Sequence, residues 1–219
     1  MANGKIRTAV ITGEHEYDVI GFQSLFRAIP EIEAYPQNMW DFVLDPVGGP
    51  GNYEVLLFYN MHTRSPAEQD GRFEAAMKEM LEGLSDGDQG IFVLHHALVA
   101  FPGWPLWGEL SGMPKRANVP GVVDQTVHVD VSDTQHPITA GLEPWDIVDE
   151  TYITDDADED SRILLTTDHP QSIRTIAWTR TFGKARVFCY QSGHDNRAFA
   201  NPGFRAVVGR GIQWLAGRI

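Results

Sequence analysis

Short apolar runs recur along the chain and are separated by polar loops that contain glycine or proline. Runs of four to six residues with β-branched and aromatic side chains are typical of strands buried within a sheet. They predict strands at residues 6–11, 55–59, 91–94, 127–131, 162–166, 175–179 and 186–190, with a further candidate at 32–35. The chain therefore alternates strand-forming and loop-forming segments over its whole length.

Apolar residues at helical spacing follow several of these strands. The stripes lie at 22–29, 73–84 and 204–215, and each predicts a helix that buries one face. Ser65, Pro66 and Glu68 form a capping-box pattern, which predicts that the middle helix begins there. Strands that alternate with helices predict an α/β fold, a doubly wound and mostly parallel sheet with helices on both faces.

Two segments do not fit this alternation. Residues 104–125 are interrupted by proline and glycine, so we expect a loop or lid with a short helix at 107–110. The acidic run at 155–160 is interpreted as a solvated turn. No linker, repeat or low-complexity tract divides the sequence, so one domain is expected over residues 1–219.

Charge and cysteine content narrow the classes of function. The chain has 219 residues and a formal net charge of −13, which disfavours nucleic acids and anionic membranes as partners. One cysteine excludes an internal disulfide framework. With neither a signal-peptide pattern nor an apolar run of about 20 residues, a cytoplasmic location is expected. An assembly of identical chains is left open.

Histidines follow three of the predicted strands. His15 lies after the first strand, His95 and His96 follow the strand at 91–94, and His194 follows the strand at 186–190. Open α/β sheets bind ligands at the carboxyl ends of their strands, and imidazole suits proton transfer near neutral pH. Adjacent side chains on an extended segment point to opposite faces, so only one of His95 and His96 is expected to face a given pocket.

Further side chains are expected near these histidines. Glu150 and Tyr152 come from the segment at 145–152, and Trp104 and Trp107 are flat rings that could cover a sugar. The acidic loop around His15 suits a neutral hydroxylated ligand or a cation better than a phosphate. Cys189 lies mid-strand and is expected to be an ordinary buried thiol, so nucleophilic catalysis is disfavoured.

The histidines and carboxylates could also bind a divalent ion. His95 or His96 together with His194 would then be ligands, and zinc or manganese would suit them. No short-range ligand motif such as HExxH is present. The predicted chemistry therefore requires no cofactor, and a metal is left open.

Six short motifs follow one another along the chain: Val10-Ile-Thr-Gly13 with His15, Phe92-Val-Leu-His-His-Ala97 with Trp104, His136-Pro-Ile-Thr-Ala-Gly-Leu142, Asp149-Glu150-x-Tyr152, Ala177-Trp178-Thr, and Gly183-Lys-Ala-Arg-Val-Phe188 with Gly193-His194. In this order, the set resembles the trehalose-utilisation (ThuA-like) family. The resemblance implies a flavodoxin-like fold similar to class I glutamine amidotransferases. The amidotransferase cysteine is missing from the turn that carries His95, which excludes that reaction.

The resemblance further implies an enzyme of sugar metabolism that acts on oxidised (3-keto) glycosides. Isomerisation or epimerisation beside the ketone is expected, with a small-molecule carbohydrate as substrate and a functional link to a sugar dehydrogenase. The expected acid–base residues are His95, His96, His194 and Glu150. The expected substrate-binding residues are His15, Trp104, Trp107, Tyr152 and Asp195. The alternative is a non-catalytic carbohydrate-binding or regulatory module on the same fold.

Overall fold

The computed structural model describes residues 4–116 and 121–219. Its strands are β1 (Ile6–Gly13), β2 (Ile32–Asn38), β3 (Val55–Asn60), β4 (Gly90–Leu94), β5 (Val122–Val131), β6 (Trp145–Thr151), β7 (Arg162–Thr166), β8 (Thr175–Phe182) and β9 (Ala185–Tyr190). Its α-helices are α1 (Val19–Arg27), α2 (Met39–Val43), α3 (Arg72–Glu82), α4 (Pro105–Ser111), α5 (Asn196–Ala200) and α6 (Pro202–Leu215). Short 3₁₀ helices form at Gly49–Asn52, Pro66–Glu68, Gly83–Ser85 and His95–Val99.

The strands form one sheet in the order β2-β1-β3-β4-β9-β8-β7-β5-β6. From β2 to β9 neighbouring strands are parallel, and their order is that of a flavodoxin-like doubly wound sheet. The pairs from β9 to β6 are antiparallel and extend the sheet on one side. The predicted α/β fold is confirmed, and the antiparallel strands are an addition to its parallel half.

Both faces of the parallel half are covered, which explains why its strands are continuously apolar. In β3, Leu57 packs in the core beneath α1 and α6, while Leu56 and Phe58 pack in the core beneath α2, α3 and α4. All six residues of β3 are buried. Within the described ranges, no helix has both the length and the hydropathy needed to cross a membrane.

The helix predicted to begin at Ser65 begins later. Ser65 Oγ accepts a hydrogen bond from the backbone N–H of Ala67 at 3.0 Å, but it caps only the 3₁₀ helix Pro66–Glu68. The chain is then extended at Gln69, and Gly71 adopts a φ of 152° before α3 starts at Arg72. The capping-box prediction was wrong because the glycine turn separates the cap from the helix it was expected to start.

The acidic run at 155–160 is more than the solvated turn expected from the sequence. Asp156 Oδ1 accepts a hydrogen bond from the backbone N–H of Thr175 at 2.8 Å. Both carboxylate oxygens of Asp158 lie 2.8 Å from Nη1 of Arg180, whose side chain is only 9% exposed. The carboxylates of Asp156 and Asp158 therefore anchor the segment to β8. The prediction of a solvated turn was wrong for these two residues.

A buried histidine in the segment 136–142 makes stability depend on pH. His136 is 2% exposed, and its Nδ1 accepts a hydrogen bond from the backbone N–H of Ile138 at 3.2 Å. Burial lowers the pKa of His136 below its ordinary value of 6.5. The unfolded chain therefore binds a proton that the folded chain lacks between the folded pKa and about 6.5, so stability falls as the pH is lowered through this window.

Replacing His136 by asparagine should reduce this loss of stability in acid. The Oδ1 atom of Asn can take the hydrogen bond from Ile138 but does not titrate. Between pH 7.5 and 5, urea unfolding should show a smaller loss for His136→Asn, by up to about 1.4 kcal/mol per pH unit within the window. An equal loss in both proteins would refute the assignment.

The matched control is His128→Asn. His128 is exposed, and its hydrogen bond to Asp146 raises its pKa. Its contribution to stability is complete below the unfolded pKa and is lost as the pH rises. This variant should therefore not reduce the loss of stability in acid.

Candidate active site

The turn after β4 has an unusual backbone conformation. β4 ends at Leu94, and His95 adopts a φ of 55° as it begins the 3₁₀ helix His95–Val99. A non-glycine residue in this left-handed region stores strain of about 1–3 kcal/mol, and such residues cluster at functional sites. A strained strand-to-helix turn also presents the nucleophile of many hydrolases above the sheet. Here the turn presents an imidazole.

His95 is fixed in one orientation by a backbone carbonyl. Its Nδ1 lies 2.7 Å from the carbonyl oxygen of Gln191, which can only accept, so Nδ1 carries a proton. In a neutral ring the lone pair is then on Nε2. This atom lies 3.1 Å from Oε2 of Glu150 and 3.3 Å from Nδ1 of His194. The side chain of His95 is buried, with no exposed surface.

Glu150 links the two histidines to each other. Its Oε2 lies 3.0 Å from Nδ1 of His194 and accepts a hydrogen bond of 2.6 Å from the hydroxyl of Tyr152. Burial raises the pKa of Glu150, but hydrogen bonds from His194, His95 and Tyr152 outweigh it and hold the pKa well below its usual value. The hydrogen bond to Glu150 in turn raises the pKa of His194. Glu150 is therefore a carboxylate that favours a proton on its neighbour.

A buried aspartate holds these groups in place. Oδ2 of Asp149 accepts a hydrogen bond from the backbone N–H of Gly193 at 2.8 Å, and Oδ1 accepts from those of His194 and Glu150, both at 2.9 Å. The side-chain amide of Gln191 donates to the backbone carbonyl of Glu150 at 2.9 Å. These bonds join β6 to the loop after β9. Neither Asp149 nor Gln191 was assigned a role from the sequence.

His96 and His15 extend the cluster toward β1. His96 is buried; its Nε2 donates to the backbone carbonyl of Tyr59 at 3.2 Å, and burial lowers its pKa well below the usual value. The ring of His15 stacks on that of His96, with 4.1 Å between the ring centroids, and its centroid lies 6.2 Å from that of the His194 ring. His95 therefore faces Glu150, whereas His96 faces Tyr59 and His15. The alternation of side chains expected for an extended segment does not apply here, because the backbone is not extended at His95.

The remaining residues expected to bind substrate lie differently. Tyr152 is in the cluster, with its hydroxyl 3.3 Å from Nε2 of His95. Trp107 has no exposed surface, donates its indole N–H to the carbonyl of Ala97 at 2.8 Å and packs in the core, so it offers no surface to a ligand. Trp104 is 7% exposed and packs against Phe101. Asp195 caps α5 and pairs with Arg197 at 2.6 Å.

The expected lid at 104–125 is largely built into the fold. Pro105–Ser111 form α4, which packs on the core, and residues from Val122 onward belong to β5. Residues 117–120 of that segment lie outside the described residues. The thiol of Cys189 is buried on β9, and burial raises its pKa. It is therefore unsuited to act as a nucleophile.

His95, Glu150 and His194 are also the residues that could hold a metal ion. One ligand atom from each lies within 4.8 Å of the other two. Bonds of about 2.0–2.1 Å in a tetrahedral zinc site place ligand atoms roughly 3.3 Å apart, and the observed separations are 3.0 to 3.3 Å. The bond from Nδ1 of His95 to a carbonyl is the kind that orients metal-bound histidines. The donor set thus fits zinc with one position left open.

Comparison with solved structures supports the fold assignment. A ThuA-like protein from Parabacteroides merdae is 22% identical, with a TM-score of 0.73 over 98% of this chain and 91% of that one. A cytoplasmic protein from Salmonella typhimurium is 10% identical, with a TM-score of 0.61 over 94% and 98%. A glutamine amidotransferase from Thermotoga maritima is 8% identical, with a TM-score of 0.55 over 96% and 98%. At these identities the likeness shows the fold alone.

Comparison with models of protein families assigns the chain to a family, which the solved structures alone do not. A search of curated protein sequences returned no match. The model of the ThuA family, described as trehalose utilisation, matches residues 51–215. This range contains His95, Glu150 and His194, and it covers most of the chain. The chain therefore belongs to the ThuA family.

Proposed function

We propose that this protein is an enzyme that moves a proton at the carbon beside the ketone of an oxidised (3-keto) glycoside. The observation that carries the proposal is the convergence of His95, His194 and Glu150, whose facing atoms lie 3.0 to 3.3 Å apart. Two imidazoles and a carboxylate suit acid–base chemistry. The buried Cys189 supplies no nucleophile to compete with it.

In this proposal His194 is the base. Its Nδ1 bonds to Glu150, so a neutral ring keeps its lone pair on Nε2, as in the histidine–carboxylate pairs of hydrolases. Nε2 takes the proton from the carbon next to the ketone, and the C–H electron pair forms the double bond of an enediolate. Delivery of a proton to the opposite face, by a second acid and not by His194, epimerises that carbon. Delivery of the proton to the former carbonyl carbon, with transfer of the neighbouring hydroxyl proton to the former ketone oxygen, isomerises the ketone.

The developing negative charge on the ketone oxygen needs a partner. When the ring of His95 carries a second proton, on Nε2, this N–H can donate to that oxygen. The hydroxyl of Tyr152 lies 3.3 Å from this nitrogen. A divalent ion held by His95, Glu150 and His194 would instead polarise the ketone as a Lewis acid. Without an ion, the carboxylate of Glu150 fixes the orientation of both imidazoles. An ion bound to Nδ1 of His194 would leave the proton of that ring on Nε2, so His194 would then be a ligand and another group would have to be the base.

The test is hydrogen exchange in heavy water. Incubated with 3-keto-trehalose in D₂O, the protein should catalyse loss of the proton signal at a carbon next to the ketone, followed by NMR. Exchange should exceed that in a protein-free sample and should be unchanged in His128→Ala, which alters an exposed histidine. No enzyme-dependent exchange with any of a panel of keto-glycosides would refute the proposal.

The same assay separates the two ways of stabilising the enediolate. Protein treated with a chelator is compared with protein to which zinc or manganese has been restored. Exchange that returns only with the ion assigns the polarisation of the ketone to a metal. Full exchange in the metal-free protein assigns it to the side chains alone.

The proposal also implies where the substrate comes from. An oxidised glycoside arises when a sugar dehydrogenase converts a ring hydroxyl to a ketone. We place both activities in the cytoplasm. A functional link to such a dehydrogenase is therefore part of the proposal.

A further inference from the structure

Four imidazoles form a closed ring at the carboxyl ends of β1, β4 and β9. The distances between neighbouring centroids are 5.1 Å from His95 to His96, 4.1 Å from His96 to His15, 6.2 Å from His15 to His194 and 5.4 Å from His194 to His95. The widest separation is the one between His15 and His194, whose ring planes lie at 76° to each other. A ligand that contacts this ring of imidazoles therefore has most room between these two.

The four imidazoles differ in what can reach them. His95 and His96 are buried, with no exposed surface. His15 is partly exposed, and the side chain of His194 is 25% exposed. A group that exchanges protons with a ligand must lie within hydrogen-bond reach of it. His15 and His194 are thus the two imidazoles of the ring that a ligand can contact from solvent.

Hydrogen bonds leave the same nitrogen available on both of these side chains. Nδ1 of His15 lies 2.7 Å from the backbone carbonyl oxygen of Glu16, which can only accept, so Nδ1 carries a proton. Nδ1 of His194 bonds to Glu150. Within residues 4–116 and 121–219, Nε2 of neither ring has a hydrogen-bond partner. Each Nε2 can therefore take a proton from a ligand or give one to it.

The loop that carries His15 is held in place on two sides. Glu14 adopts a φ of 56°, in the left-handed region that L-residues seldom occupy, and its carboxylate accepts a hydrogen bond from the backbone N–H of Thr63 at 3.1 Å. The ring of His15 stacks on the buried ring of His96. His15 thus has a defined position across from His194, as a group that transfers a proton requires.

We infer that His15 is the second acid of the proposed reaction and delivers a proton to the face of the enediolate opposite His194. The inference rests on the proposed function and selects epimerisation as its outcome. A carbon that exchanges protons with both imidazoles lies within about 3–3.5 Å of Nε2 of each. The separation of 6.2 Å between the two centroids permits this arrangement.

The step balances with these two imidazoles alone. Nε2 of His194 takes the proton from the carbon beside the ketone, and the C–H electron pair forms the double bond of the enediolate. His15, with a proton on each nitrogen, gives the one on Nε2 to the other face of the same carbon. The electron pair of the double bond forms the new C–H bond, and the ketone is restored. Solvent then removes the proton from His194 and returns one to His15.

Deuterium exchange by His15→Gln tests this inference. In D₂O, the wild type should convert 3-keto-trehalose to its epimer at a carbon beside the ketone, with deuterium at that carbon. His15→Gln should still exchange this hydrogen in the keto-glycoside, because His194 is intact, and this exchange shows that the site of the variant is folded. It should form the epimer about 10²–10⁴-fold more slowly. NMR measures both rates.

The epimer isolated from the wild-type reaction provides the reverse test. From this side His15 is the base, so His15→Gln should lose exchange of the epimer, whereas His194→Gln should retain it. The control is His128→Gln, which alters an exposed histidine outside the cluster and should leave every rate unchanged.

Three outcomes would overturn the inference and leave the proposed function in place. The first is exchange by the wild type without formation of an epimer. The second is epimer formation by His15→Gln at the wild-type rate. The third is a loss of both exchange and epimerisation of the keto-glycoside in His15→Gln. Absence of exchange by the wild type with every keto-glycoside of the panel would refute the proposed function, and this inference with it.

Discussion

Replacing His194 by alanine should lower turnover of a 3-keto-glycoside by about 10²–10⁴-fold, the usual contribution of a positioned general base. The reason is the bond of 3.0 Å between Nδ1 of His194 and Glu150, which orients the ring as the base. Binding of the glycoside should change far less, because His194 is one contact among several. Turnover is measured by the exchange assay, and binding is measured by calorimetry.

The same variant distinguishes an enzyme from a carbohydrate-binding module on this fold. A module would bind the glycoside in both forms and show no turnover to lose. His128→Ala is the matched control, because this histidine also pairs with a carboxylate but is exposed on β5. Metal content is measured in each protein, since loss of an ion would be a second cause of low turnover. Full turnover by His194→Ala would contradict the assignment.

Replacing Asp149 by alanine should cost roughly 3 kcal/mol or more of the free energy of unfolding. Three buried backbone N–H groups, those of Gly193, His194 and Glu150, would lose their acceptor. Each buried donor left without a partner costs about 1–3 kcal/mol. Asp149→Asn should cost less, because its amide keeps one oxygen and loses mainly the bond to Gly193. Urea unfolding measures both variants.

The control for Asp149 lies three residues earlier on the same strand. Asp146 is 69% exposed, so Asp146→Ala should lower the free energy of unfolding by no more than about 1 kcal/mol. If Asp149→Ala were equally mild, the carboxylate would not be what joins β6 to the loop after β9. Asp149→Asn should also slow turnover more than its loss of stability alone implies, because the peptide that bears His194 would shift.

Much of the site could be predicted because it follows from position along strands. An apolar run marks a buried strand, and the residues after it must lie at the sheet edge where ligands bind. This is why His15, His95 and His194, which are far apart in sequence, were expected together. Glu150 was expected as a further member from the segment at 145–152, and its Oε2 lies 3.1 Å from Nε2 of His95.

Other features depend on packing that no local pattern reveals. Trp107 follows the histidines closely, but α4 turns it toward Phe58 and the core. Which of His95 and His96 faces Glu150 depends on the left-handed φ of His95, which residue type does not predict. The role of Asp149 depends on donors more than 40 residues away in the chain. Only the three-dimensional arrangement supplies these neighbours.

The place of β9 in the sheet sets the order in which the molecule can be completed. β9 lies between β4 and β8, yet it follows both of them in the chain. During synthesis, β4 therefore has an unpaired apolar edge until β9 has been made, and an unpaired strand edge can pair with the wrong strand. His95 is on one side of this gap and Glu150 is on the other, and His194 follows the strand that closes it. An incomplete nascent chain thus has no assembled cluster of His95, Glu150 and His194, and these residues meet only when the central strand enters the sheet.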